Sequence, residues 1–305
     1  MPSLLDLYQH AVRARLLDER LAMLSRAERI GYHPDAQRAE VAILAAALAT
    51  RAQDWIFGTA RDHAVLLARG LGVDAYLDHV FGNASDAMHG HSAPGLLCSR
   101  ALHVGSPSGL VSTHLTHATG FAWAMKMRGE EGAVLALFSE TAAESGDFHS
   151  AVNFAGAARA PIVFVCKTDG DETPAPPVDI ADKGIAYGVP GISVEGEPVA
   201  IMGAVEAALA RATSEGPTLL EVRLPGPAAR GARDPLTMLT NALLHTGELT
   251  QADDWAYRQA VMAAIEAASA RAQSASRPPR EALFEDVHAE LAPHLRAQLA
   301  ELAST

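Results

Sequence analysis

Apolar residues recur at helical spacing from the start of the chain, where Leu4, Leu7, Val12, Leu16 and Met23 follow Ser3, a residue suited to capping a helix N-terminus. The spacing predicts an amphipathic opening helix. Residues 38–49 repeat a helical pattern so rich in alanine that an interior helix, packed closely on a sheet or another helix, is expected. Trp55-Ile56-Phe57 predicts a short buried strand, and Gly58-Thr59-Ala60-Arg61-Asp62-His63 the polar loop leaving it. Over residues 82–112 periodicity gives way to Gly, Pro, Ser and His. An irregular stretch of that length inside a compact domain is usually functional.

A helical pattern over residues 113–128 leads into the most regular part of the chain. Two continuous apolar runs, 133–138 and 161–166, flank a helical pattern at 146–159. Such runs suit parallel strands buried on both faces, joined by a crossover helix. Further strands are expected at 191–194 and 218–224, with an Ala-rich helix at 199–213 between them. The fold class that follows is α/β, a doubly wound and mostly parallel sheet over residues 1–225, with a C-terminal helical appendage over 226–305. That appendage opens on the loop 225–231, carries two helical patterns, breaks at Pro278-Pro279 and ends in a helix after Pro293.

Composition narrows the function classes. Of 305 residues, 49% are hydrophobic and 20% charged, enough apolar material for one large core. The 24 basic and 36 acidic side chains leave a formal charge of −12, which argues against a general grip on nucleic acid. Cys98 and Cys166 form no C-x-x-C pair and are expected as reduced, buried thiols. With neither a leader pattern nor a membrane-spanning run, the chain is expected to be cytoplasmic.

In an open parallel sheet, ligands bind beyond the carboxyl ends of the strands. The loops there are Ser139-Glu140-Thr141 after one strand and Lys167-Thr168-Asp169 after the next. If the two strands are neighbours, Glu140 and Asp169 converge as hard oxygen ligands for Mg²⁺ or Ca²⁺, with Lys167 and a helix N-terminus near Gly146 adding positive potential for a phosphate. Acidic loops are ordinarily just solvated, so context decides. It comes from Asp18-Glu19-Arg20, Arg61-Asp62-His63, Leu67-Ala68-Arg69-Gly70, Phe81-Gly82-Asn83, Glu144-Ser145-Gly146-Asp147-Phe148-His149, Asn153-Phe154-Ala155 and Leu283-Phe284-Glu285-Asp286-Val287. In this order the segments resemble the alpha subunit of thiamine-diphosphate-dependent 2-oxo acid dehydrogenase E1 components, across almost the whole chain.

The resemblance implies thiamine diphosphate and Mg²⁺ as cofactors, an E1 beta-type subunit as partner in a heterotetramer, and a lipoyl-bearing acyltransferase as acceptor of the acyl group. It places Arg61 and Lys167 near the diphosphate, Gly109, Leu110 and Val111 along the aminopyrimidine ring, Glu140 and Asp169 on the metal, and His63 as the candidate acid or base. The family's Gly-acid-Gly tripeptide is matched by Ser139-Glu140-Thr141, which keeps the acid and loses both glycines. Ala60 stands where a tyrosine is expected, and the segment after Arg223 carries no histidine. These departures predict weak cofactor binding and low turnover. The alternative is a catalytically degenerate alpha-like subunit with an assembly or regulatory role.

Overall fold

The computed structural model describes residues 2–36, 38–169, 179–224, 234–284 and 288–303. The opening helix α1 spans Leu4–Arg26, and its start is fixed by a capping box in which the Asp6 amide donates to Ser3 Oγ and the Ser3 amide to the Asp6 carboxylate. Helix α2 (Glu40–Leu48) is buried along nearly its whole length, as its alanines lead one to expect. After strand β1 (Trp55–Phe57) come a 3₁₀ turn, Ala60–Asp62, and two helices, α3 (Ala64–Ala68) and α4 (Val73–Phe81). Neither α3 nor α4 is among the elements expected from the sequence, although the apolar residues of α4 lie on one face.

Helix α5 (Thr113–Arg128) precedes the central unit of strand β2 (Val134–Ser139), helix α6 (Gly146–Ala158) and strand β3 (Ile162–Asp169). Strand β4 (Gly191–Glu195), helix α7 (Pro198–Glu215) and strand β5 (Thr218–Leu224) complete the sheet. Its order is β1-β2-β3-β5-β4 and every pairing is parallel. Helices α8 (Pro235–Thr246) and α9 (Gln251–Ser274) follow, and α10 (Pro293–Ala303) starts at Pro293. The expected boundary at 225–226 falls beside residues outside the described set.

Period-two alternation assigns each strand residue to one of two cores. Leu135, Leu137, Val163, Val165, Leu220 and Val222 pack with α1, α2, α7, α8 and α9. Val134, Ala136, Phe138, Ile162, Phe164 and Cys166 face the other way, onto α5 and α6. The sheet is therefore covered on both sides, which is why the first five residues of β2 and of β3 are continuous apolar runs. Among the described residues no helix is long and apolar enough to cross a membrane.

The irregular stretch 82–112 lies alongside β1. The Ile56 amide donates to the His103 carbonyl at 2.9 Å, and the Gly105 amide donates back to Ile56 at 2.8 Å. Glycine is required at 105, because a Cβ there would stand 2.4 Å from the Phe57 ring.

Candidate active-site cavity

Four adjacent strands end at one cavity of about 730 Å³, within the range usual for small-molecule sites, roughly 300–1,000 Å³. Its lining includes Arg61 after β1, Ser139, Glu140 and Thr141 after β2, Lys167 at the end of β3, and Leu224 at the end of β5. Gly109, Leu110 and Val111 close one side, while Tyr32, Pro34 and Ile43 form an apolar wall. Of the residues singled out from sequence, Arg61, Gly109, Leu110, Val111, Glu140 and Lys167 are thus brought together. Asp169 ends β3 opposite Leu224 in β5, and its side chain lies outside the described set. The histidine-free segment after Arg223 falls largely on residues 225–233, which are also outside it.

Register explains the convergence. Ser139 pairs with Lys167 across β2 and β3, so Glu140 leaves its strand just beyond the lysine. Lys167 follows Val163 and Val165 on one face of β3, and alternation brings its side chain up beside the loop after β1. There its ammonium pairs with Asp62. That carboxylate is buried and also accepts from the Thr59 amide and hydroxyl, each at 2.8 Å. Burial raises the Asp62 carboxyl, but Lys167 and the Thr59 donors outweigh burial and hold it below its ordinary value. Gly58 makes room for this arrangement, since a Cβ there would stand 2.9 Å from Asp62 Cβ.

Arg61 is the more available cation. Its guanidinium is about half exposed, with 55% of the side chain accessible, and donates to the Asp35 carbonyl at 2.9 Å. Leu110 and Val111 project as exposed apolar side chains at the cavity mouth, on a turn in which the Leu110 amide donates to Ser108 Oγ at 2.9 Å.

His63 lies outside the cavity lining. It is 3% exposed, stacks on Tyr76 with ring centroids 5.4 Å apart, and places Nε2 3.2 Å from Asp18 Oδ1. His33 Nε2 approaches the same Asp18 oxygen at 2.6 Å, and the Ala36 amide donates to Oδ2 at 2.9 Å. Burial opposes the charged form of both His63 and Asp18. Their mutual attraction prevails, so the imidazole sits above its ordinary value and the carboxyl well below the usual range. His33, His114 and His117 are likewise absent from the cavity lining. His114 is buried with Nε2 2.8 Å from the Leu137 carbonyl, its pKa lowered mainly by burial. His117 is exposed on α5.

Two features of the site were not visible in the sequence. Asp62 as the partner of Lys167 requires β1 and β3 to flank β2, and the apolar wall requires the turn at 31–36 to fold over the sheet.

A doubly wound parallel sheet with a cavity at its carboxyl end defines the α/β class of the fold, and the sequence specifies the family: the chain belongs to the dehydrogenase E1 component family, whose profile matches residues 8–224. Within it, the chain is 33% identical over 226 residues to the 2-oxoisovalerate dehydrogenase subunit alpha of Bacillus subtilis, covering 71% of this chain and 68% of that one. It is 27% identical over 326 residues to the mitochondrial 2-oxoisovalerate dehydrogenase subunit alpha of Homo sapiens, covering 98% and 73%. Among solved structures, transketolase from Leishmania mexicana aligns with a TM-score of 0.49 at 15% identity, over 90% of this chain and 46% of that one.

Proposed function

We propose that this chain is the alpha-type subunit of a thiamine-diphosphate-dependent 2-oxo acid dehydrogenase E1 component, and that its strand-end cavity receives the diphosphate and metal end of the cofactor. The observation that carries the reading is the shared cavity of Arg61, Lys167, Glu140 and the 109–111 turn. Its donor set suits the group: a half-exposed guanidinium for phosphate oxygens, a carboxylate for Mg²⁺, and hydroxyls at Ser139 and Thr141. In this reading Arg61 grips the diphosphate, Glu140 and Asp169 hold Mg²⁺, and the backbone of Gly109, Leu110 and Val111 borders the aminopyrimidine ring. When bound, the thiazolium supplies the electron sink for decarboxylation of the oxo acid. The chain's own residues bind and orient. His63, buried beside Asp18, holds the loop that carries Arg61 and does not itself transfer protons.

A beta-type subunit completes the site in this proposal, and a lipoyl-bearing acyltransferase accepts the acyl group. The similarity to subunits named for 2-oxoisovalerate favours a branched-chain oxo acid as the substrate. The pairing of Lys167 with Asp62 supports a second reading, the degenerate alpha-like subunit, because it neutralises one of the two cations near the diphosphate.

Calorimetric titration of the chain, co-expressed with its beta-type partner, with thiamine diphosphate separates the two. Working assembly requires saturable, Mg²⁺-dependent binding that Arg61→Ala weakens by about tenfold or more. It also requires oxo acid-dependent reduction of an artificial electron acceptor. Absence of binding at millimolar cofactor overturns the catalytic reading and leaves the degenerate one.

A further inference from the structure

We propose that Asp18, His33 and His63 form a binding site for one divalent transition-metal ion, with Zn²⁺ as the best-suited ion. The site is separate from the strand-end cavity and does not depend on the function proposed for it. The three residues come from three segments: α1, the turn before α2, and the residue preceding α3. Yet one ligand atom from each lies within 4.8 Å of the others. Their side chains are 9%, 4% and 1% exposed.

Two observations point to a ligand rather than to a self-contained hydrogen-bonded cluster. First, neither ring nitrogen of His63 makes a hydrogen bond, although the residue is fully enclosed. Its Nε2 stands 3.2 Å from Asp18 Oδ1 without the geometry of a bond. Leaving such a buried group unsatisfied is costly, because it has given up its water and gained nothing in return. Second, the Tyr76 ring that stacks on His63 carries a hydroxyl that is likewise buried without a partner. Two imidazoles and one carboxylate are the donor set of many zinc and non-haem iron sites.

The spacing is close to what coordination needs. Bonds of about 2.0–2.1 Å in a tetrahedron put ligand atoms about 3.3 Å apart, near the 3.2 Å between His63 and Asp18. The 2.6 Å contact of His33 with Asp18 is a hydrogen bond, and an ion inserts there only by opening it by about 0.7 Å. Insertion forms three ligand–metal bonds, and the protons that His33 and His63 hold towards Asp18 leave to solvent, so no oxidant or reductant is involved. The ion would lie behind the wall formed by the 31–36 turn and the Thr59–His63 loop, fixing both against α1.

The test uses the full chain, stripped with a chelator and titrated with Co²⁺, followed by Zn²⁺ in competition. The expected result is one equivalent of Co²⁺ with the intense visible bands of four-coordinate cobalt, bleached by Zn²⁺. His63→Gln and Asp18→Asn should each abolish the bands, and His33→Gln should weaken binding by about tenfold or more. Glu140→Gln, in the other cavity, should leave the bands unchanged. Absence of the bands in the folded native chain overturns the proposal, which keeps it falsifiable even where a variant does not fold. So do bands that persist in folded His63→Gln, or that vanish in Glu140→Gln, which would place the ion in the strand-end cavity instead.

Discussion

At the residue scale the ion pair between Lys167 and Asp62 is the most consequential contact beside the cavity, because one partner is fully buried and the other lines the site. Removing only the cation leaves a buried carboxylate with its two Thr59 donors but no counter-charge. Lys167→Met is therefore expected to destabilise the fold by about 3–5 kcal/mol, whereas the double change Asp62→Leu with Lys167→Met should recover most of that loss. Urea denaturation of the three proteins measures both. The pH dependence follows from the same pair. Asp62 titrates below its ordinary value when folded, so its stabilisation is complete above about pH 3.9, the unfolded value, and is lost as pH falls through the lower folded one. The acid limb of a stability–pH curve should accordingly be shallower in the double variant than in the native chain.

At the element scale, helix starts and close approaches set the geometry. The capping box at Ser3 satisfies amides that the first turn of α1 leaves unpaired, and Ser3→Ala is expected to cost about 1 kcal/mol by thermal or chemical melting. Gly191 opens β4 where the preceding 3₁₀ segment, Ala181–Tyr187, crosses it, and a Cβ there would lie 2.0 Å from the Ala181 carbonyl oxygen. That neighbour is backbone and cannot swing aside. Gly191→Ala should therefore destabilise by about 1–3 kcal/mol or more, while Gly203→Ala on α7, where nothing stands within 4 Å, should stabilise slightly. A measured order opposite to this would show that β4 is held more loosely than its pairing with β5 suggests.

At the scale of the whole molecule, the terminal helices are joined to the sheet domain by charge as well as by apolar packing. Arg15 of α1 reaches both the buried Glu40 of α2 and Asp234 before α8, and Arg271 of α9 bonds Asp74 and Asp78 of α4. Leu236, Leu239, Leu243, Ile265 and Ala272 join the same core as α1 and α2. The outer surface of α5 and α6, in contrast, presents Trp123, Met127 and Phe154 to solvent, with Trp123 and Phe154 stacked 6.5 Å apart. Large exposed apolar groups in proximity are characteristic of contact surfaces. The chain is expected to assemble rather than to persist alone, and light scattering that gave a stable monomer, with and without a beta-type subunit, would contradict this.

Local pattern determined most of the elements and their order, with α3 and α4 the exceptions. The Ser3 cap, the apolar runs of β2 and β3 and the helix between them are decided by period and by neighbours a few residues away, so they were legible at once. The resemblance carried by Arg61-Asp62-His63 and Glu144-Ser145-Gly146-Asp147 also placed the site at the strand ends. Tertiary structure alone decided what those residues contact. Asp62 and Lys167, 105 positions apart, meet because β1 and β3 both flank β2. His63 follows the site loop in sequence but turns away from the cavity to Asp18, 45 positions earlier, because the 3₁₀ turn Ala60–Asp62 rotates its side chain towards α1. Sequence proximity fixes which loop a side chain leaves, but the direction it takes depends on which distant charge or apolar wall the fold sets against it.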